Sequence, residues 1–252
     1  MKEKMDLKIV GEGATTTVYK DGDKAIKLYP KKASMEHIKA EVMRQKLAHE
    51  LGLPVPEVYE IKEFDNGSTG IIMQCVEGVP IMHPNMAEEE FPQALATLVE
   101  LQCHIHSQDG TGFPIQAEQI KIKIDRNRFV KKKVKKQLQQ LLEELTGDAT
   151  SLCHGDFHPL NILNDGNKYW IIDWVDATVG NPLADVCRSY LILMQFAPEL
   201  TEAYLKIFCM KSGFVQEDIL AWLPIIAAGR LTEGVDKKAK EMLMDIINNW
   251  SN

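Results

Sequence analysis

The order in which hydrophobic periodicities appear along the chain constrains its fold more than any other feature. Two-residue alternation broken by turn residues fills the first third, and helical spacing dominates the rest. Residues 7–10, 16–20 and Lys24–Tyr29 read as three short strands, the second and third joined by an Asp21-Gly22 turn. Residues 33–51 predict a helix through Met35, Ile38, Val42, Leu47 and Leu51, with Ser34 as N-cap and Gly52 and Pro54 as the stop. Residues 58–64 and 70–76 form a further hairpin across Asp65-Asn66-Gly67. Beyond them, residues 87–106 and 128–145 are helical. A small hairpin follows, 162–163 against 169–172, turned at Asp165-Gly166. After Pro182 come four helical patterns divided near Pro198, Gly213 and Gly229. Strands first and helices later predict an α+β chain with segregated lobes, not an alternating βαβ sheet. The expected division is an N-terminal lobe, residues 1–76, with an antiparallel sheet and one helix, and a larger helical lobe, residues 77–252.

Bulk properties narrow the partners. No apolar run reaches the roughly eighteen residues of a membrane span, and the N-terminus has no apolar signal core, so a cytoplasmic location is expected. The five cysteines form no Cys-x-x-Cys pair, which argues for reduced, buried thiols rather than a disulfide framework or metal cluster. The net charge of −7 is uneven. Residues 121–136 carry nine basic side chains and one acidic, whereas 77–120 and 137–252 together carry eight basic and twenty-three acidic. That field would repel nucleic acid and attract cations, with plain solubility as the equal alternative. The basic stretch has one aromatic residue, Phe129, and reads as a solvated helix face.

The chemistry-bearing segment is His154-Gly155-Asp156-Phe157-His158-Pro-Leu-Asn161, followed by Ile172-Asp173-Trp174. Phosphoryl transfer asks little covalent chemistry of a protein. It needs a carboxylate to orient a hydroxyl, and an amide plus a second carboxylate to hold magnesium on the phosphates. Asp156, Asn161 and Asp173 supply these groups in that order. Each could instead serve a turn or cap when taken alone; together they point to one site. His154 and His158 lack a third ligand at metal spacing and read as scaffold histidines.

These residues resemble the aminoglycoside phosphotransferase and choline kinase family, small-molecule kinases on a protein-kinase-like fold. The resemblance runs from the glycines near the N-terminus to the helix after Asp185. It implies two lobes with the nucleotide between them, and ATP (GTP left open) and Mg2+ as cofactors. It makes Asp156 catalytic and Asn161 and Asp173 metal ligands. Gly11 and Gly13, in Gly11-Glu-Gly13-Ala-Thr-Thr-Thr-Val18, resemble a glycine-rich phosphate loop lacking its third glycine. Lys27 would reach the phosphates and pair with Glu41, with Glu36 as the alternative. The Gln74 carbonyl and Val76 N–H would hold adenine, and Asp185 would brace the catalytic loop.

The expected acceptor is a small-molecule hydroxyl compound. Glu199, Glu202, Glu233 and Asp236 are candidates to favour an amine-bearing one, such as an aminoglycoside, choline, ethanolamine or an amino sugar. Trp174 and Trp222 are the better candidates among the tryptophans for a cation–π contact with a quaternary amine, but core packing is the favoured reading of each. The chain has His-Gly-Asp rather than His-Arg-Asp, and Asp185 follows Asp173 by only twelve positions. Both features argue against a protein kinase. A non-enzymatic nucleotide sensor on the same fold is the other alternative, disfavoured because Lys27, Asn161 and Asp173 are all present. The expected state is a monomer or weak homodimer, with no nucleic-acid or membrane partner.

Overall fold

The structure, a computed structural model, describes residues 8–13 and 16–251. Leu7 of the first expected strand and Ala14 and Thr15 of the glycine segment lie outside the described residues. The chain forms two compact units. The first takes in the described residues up to His83 together with Pro159–Asp176; the second takes in Pro84–His158 and the described residues from Ala177 onward.

In the first unit, β1 (Lys8–Glu12), β2 (Thr17–Asp21), β3 (Lys24–Tyr29), β4 (Val58–Glu63) and β5 (Thr69–Gln74) build an antiparallel sheet. Its order is β1-β2-β3-β5-β4. Gly22 adopts φ +62°, a left-handed conformation that the tight β2–β3 turn needs and a side chain resists. α1 (Met35–Glu50) begins after Ser34, whose hydroxyl makes no capping bond, and stops at Gly52 with φ +78°.

The buried stripe of α1 differs from the apolar pattern. Ile38, Glu41, Gln45 and Ala48 are buried, whereas Met35, Val42 and Leu47 are half-buried and Leu51 is exposed. Two polar residues on the buried face are tolerated because each has dedicated partners. Glu41 meets Lys27 and Tyr29, and Gln45 Nε2 donates to the Pro56 carbonyl at 2.8 Å. Around them Ala25, Tyr29, Ile38, Val58, Ile71 and Met73 form the core. Full burial of one such aliphatic side chain stabilises by about 1.5–3 kcal/mol.

A second, three-stranded sheet in this unit joins β6 (Val79–Pro80), β8 (Ile162–Asn164) and β9 (Tyr169–Ile171). Periodicity anticipates the β8–β9 hairpin but not β6, which is two residues long. Glycine is required beside it, because a Cβ on Gly78 would sit 2.8 Å from the Asn164 carbonyl oxygen.

The second unit is mainly helical. It contains α2 (Phe91–His106), α3 (Gln116–Arg126), α4 (Lys132–Thr146), α5 (Pro182–Phe196), α6 (Thr201–Ser212), α7 (Gln216–Leu220), α8 (Leu223–Arg230) and α9 (Lys237–Ser251). β7 (Ser151–Cys153) pairs with β10 (Thr178–Gly180).

Three boundaries depart from the sequence reading. α3 was not anticipated. α4 starts at Lys132 rather than 128, because the Asn127 side chain accepts from the N–H groups of Phe129 and Val130 and forms a turn there. The segment after Gly213 splits into α7 and α8, with Pro224 in the first turn of α8, where it cannot continue the preceding helix. All five cysteines are free thiols; Cys153 and Cys187 are buried and the other three are half-buried. Among the described residues, no helix is long and apolar enough to cross a membrane.

Candidate active site

Strand alternation sends Ala25, Lys27 and Tyr29 of β3 to one face. Lys27 Nζ donates to Glu41 Oε1 at 2.6 Å and to Asp173 Oδ1 at 2.9 Å. The Tyr29 hydroxyl donates to the other Glu41 oxygen. Glu36, the alternative lysine partner, is exposed, whereas Glu41 is 2 % exposed. Burial opposes the Lys27 charge, but Asp173 and Glu41 outweigh it, so its pKa is raised and the ammonium persists. Burial and the adjacent Glu41 carboxylate also hold the Tyr29 phenol protonated, and so a donor.

Asn161 directly precedes β8, and Asp173 follows β9 by one residue. Ile162 pairs with Ile171, and the Ile172 N–H donates to the Asn161 carbonyl at 3.0 Å. The hairpin therefore brings the amide and the carboxylate to one of its ends. Asn161 is buried and the Asp173 side chain is 38 % exposed. Asp173 has φ +64°, the one positive φ outside glycine among the described residues. Such strain persists only where surrounding contacts enforce it, and it clusters at functional sites.

These two groups suit magnesium, which takes oxygen donors from one or two protein groups and completes its shell with phosphates and water. Among the described residues, no cluster of three His, Cys, Asp or Glu side chains could hold a metal alone.

Gly11 lies in β1 opposite Val18, next to a register shift, and the Gly13 N–H donates to the Thr16 carbonyl at 2.8 Å. Gln74 ends β5, its N–H donating to the Glu57 carbonyl, and Val76 lies in the irregular link to β6.

In the second unit, two residues three apart on α5 share a helix face and meet the segment 154–156. Buried Asp185 accepts from the Gly155 N–H at 2.7 Å and the His154 N–H at 3.3 Å. It also accepts from His106 Nε2 at 2.9 Å and Gln102 Nε2 at 3.4 Å, both on α2. Burial disfavours its charge, yet His106, His154 and the Gly155 N–H hold its pKa below the usual carboxylate range. The bracing expected of Asp185 is thus present as hydrogen bonds to the loop backbone. One turn on, Arg188 Nη2 donates to Asp156 Oδ1 at 2.9 Å. His158 Nε2 lies 3.4 Å from Asp156 Oδ2. Here too burial pushes the carboxyl up, and His158, Arg188 and His154 outweigh it, so Asp156 stays ionised. His154 is buried, accepts from the Asp156 N–H through Nδ1, and stacks edge-on with Phe157.

Trp174 and Trp222 are 0 % and 1 % exposed, so both are core residues, as favoured for them, and not walls of an amine cage. Trp174 Nε1 is spent on the Ile171 carbonyl. One expectation about the acceptor is corrected. Glu233 is not open to a substrate amine, because Arg188, Arg230 and Lys123 all bind it at 2.6–3.1 Å. Asp236 caps α9 through the Ala239 N–H, while Glu199 and Glu202 are exposed. Arg188 and Tyr29 escaped the sequence reading. The usable signals were an arginine three residues after Asp185 in a mainly apolar helix, and a tyrosine two residues after Lys27 on the same strand face.

Residues 6–221 match the family described as the phosphotransferase enzyme family (APH). No curated protein shows significant similarity to the chain. Among solved structures, a thermostable mutant of aminoglycoside phosphotransferase APH(4)-Ia in ternary complex with ADP and hygromycin B has a TM-score of 0.69 at 19% identity. That match covers 96% of this chain and 93% of the other. Aminoglycoside-3'-phosphotransferase of type VIII gives 0.66 at 19%, covering 89% and 93%. The GDP complex of aminoglycoside 2'-phosphotransferase-IIIa gives 0.64 at 16%, covering 96% and 90%. At such identities the likeness shows the fold, which is that of protein-kinase-like aminoglycoside kinases.

Proposed function

The chain belongs to the phosphotransferase enzyme family, and from that premise we propose that it transfers the γ-phosphoryl group of ATP to a hydroxyl of a small molecule. The observation that carries this reading is Lys27, whose ammonium is held at once by Glu41 and Asp173. An ammonium and a carboxylate of the kinds suited to phosphate and to magnesium thereby share one point in the first unit.

In this reading Lys27 binds the phosphates, and Glu41, fixed by Tyr29, sets its position. Backbone N–H groups around Gly11 and Gly13 cradle phosphate oxygens, and the Gln74 carbonyl and Val76 N–H take adenine. Asn161 and Asp173 hold magnesium, which when bound neutralises charge on the phosphates. Asp156 accepts a hydrogen bond from the acceptor hydroxyl and aims it. As the oxygen–phosphorus bond forms, the bridging bond to the β-phosphate breaks, its electron pair leaves with ADP, and the proton passes to Asp156. A carboxylate with a depressed pKa is a weak base but is always ionised, which suits orientation and late proton acceptance.

The acceptor is a hydroxyl-bearing small molecule. Amine-bearing compounds are the first to test, because solved structures of this fold include one with hygromycin B bound. Complexes with ADP and with GDP among those structures make ATP and GTP the nucleotides to compare.

The test is ADP release over a panel of aminoglycosides, choline, ethanolamine and amino sugars, run beside nucleotide-dependent thermal shifts with and without magnesium. Asp156→Ala should keep the ATP-induced shift and lose turnover by about 100-fold or more, the usual scale of acid–base catalysis. Turnover falling less than tenfold would remove Asp156 from its role. ATP binding without ADP release above background, with any acceptor or with water, would favour a nucleotide sensor instead.

A further inference from the structure

We infer that Arg188 is the positioning residue for the Asp156 carboxylate, and that Glu233 fixes Arg188 in that task. The inference rests on the reading of Asp156 given above. Arg188 lies on α5 with its side chain 10 % exposed. Its two terminal nitrogens grip Glu233 in a forked pair, Nη1 to Oε1 at 3.0 Å and Nη2 to Oε2 at 3.1 Å. Nη2 is shared, reaching Asp156 Oδ1 at 2.9 Å.

A planar guanidinium held by two parallel hydrogen bonds has little rotational freedom, so the third bond is aimed rather than merely attractive. Glu233 is itself anchored from two further helices, by Lys123 Nζ of α3 at 2.8 Å and Arg230 Nη1 of α8 at 2.6 Å. Three cations thus converge on one carboxylate, and a chain of contacts runs from helices α3 and α8 through α5 to the catalytic loop. With Nη1 and Nη2 paired to Glu233, Arg188 meets Asp156 through Nη2 at Oδ1, while Oδ2 faces His158.

The chemistry separates positioning from plain structural support. Arg188→Lys keeps a charge but loses the fork; Arg188→Gln loses the charge; Glu233→Gln leaves Arg188 in place with its grip weakened. Two readouts apply to the full chain. One is steady-state ADP release from magnesium-ATP with water as acceptor, giving kcat and KM for ATP. The other, independent of turnover, is the pH titration of the Asp156 carboxyl by carbon NMR, assigned with Asp156→Asn. The charged and titratable groups facing Asp156 are Arg188, His158 and His154, and behind Arg188 stand Glu233, Lys123 and Arg230.

The expected result for Arg188→Gln is a kcat about 100-fold lower, the scale of a misplaced reacting group. Its KM for ATP should stay within threefold, and Asp156 should titrate at a higher pH than in the wild type. Arg188→Lys and Glu233→Gln should fall between. If Arg188→Gln fails to fold, Arg188→Lys carries the test, with a loss of about tenfold expected. A kcat within threefold of wild type in the folded arginine variant, while Asp156→Ala is inactive, overturns this inference and leaves the proposed function standing. An active Asp156→Ala overturns the proposed function itself, and with it this inference. A fall in melting temperature with kcat and the Asp156 titration unmoved would reduce Arg188 to a structural residue and also overturn the proposal.

Discussion

Replacing Asp185 tests whether the catalytic loop is held by one buried carboxylate. Asp185 is 2 % exposed and accepts from Gly155 N at 2.7 Å, His106 Nε2 at 2.9 Å, His154 N at 3.3 Å and Gln102 Nε2 at 3.4 Å. Hydrogen bonds to a charged group contribute about 1.5–3 kcal/mol each, and the two shortest here dominate. Asp185→Ala removes the acceptor and strands buried donors from α2 and from the loop. Breaking one partner of such a buried network costs about 3–5 kcal/mol. In a chain of this size each kcal/mol lowers the melting temperature by about 2–4 °C, so the expected fall is about 6–20 °C.

Asp185→Asn sharpens the test. Its amide oxygen can still take the Gly155 N–H, but its amide nitrogen faces donors, so its loss should be smaller than that of Ala and still measurable. The assay is thermal and urea unfolding at neutral pH, followed by circular dichroism, with ADP release measured on the folded variants. A loss below about 1 kcal/mol for Asp185→Ala, the worth of one neutral hydrogen bond, would show that the loop is held by something else.

Two further outcomes follow from the same geometry. Burial raises the Glu233 carboxyl, but Arg188 and Lys123 outweigh it and bring it from 4.5 to about 2. A depressed folded-state pKa stabilises fully above the unfolded value and loses that stability as pH falls through the folded one. Urea midpoints should therefore decline between pH 4.5 and pH 2, by on the order of 3 kcal/mol from this group, and Glu233→Gln should flatten that slope; an unchanged slope would contradict the network. Gly78→Ala would place its Cβ 2.8 Å from a backbone oxygen, where nothing flexible can yield. It should cost about 1–3 kcal/mol, as overpacking does, and a wild-type urea midpoint would show that the β6–β8 approach is looser than it stands.

Much of this was legible beforehand, and the failures share a cause. The β2–β3 turn (on Gly22-Asp23, one residue later than the Asp21-Gly22 expected), the β8–β9 hairpin and the stop at Gly52 depend on residues adjacent in sequence, so local chemistry decides them. The buried face of α1 was misread because apolar spacing marks Val42 and Leu47, whereas the face against the sheet carries Glu41 and Gln45. A buried polar residue is predictable only when its partner is known, and here those partners are Lys27, Tyr29 and the Pro56 carbonyl. Trp174 and Trp222 are core residues, the reading favoured for them, because a large aromatic side chain gains most by burial. α3 was overlooked because its apolar positions are sparse among charges, and only Gln116 and Ile124 are buried in it.

The amino-acid order by itself determined the succession of strands and helices and the spacing of Asp156, Asn161 and Asp173, because periodicity, turn chemistry and motif spacing act over a few residues. Only the tertiary structure decided that Lys27 meets Glu41 rather than Glu36, that Asp173 joins them from 146 positions away, and that Arg188 bridges Asp156 to Glu233. Those pairings depend on which faces pack and on how burial makes each charge seek a partner, and neither is written in the distance between residues along the chain.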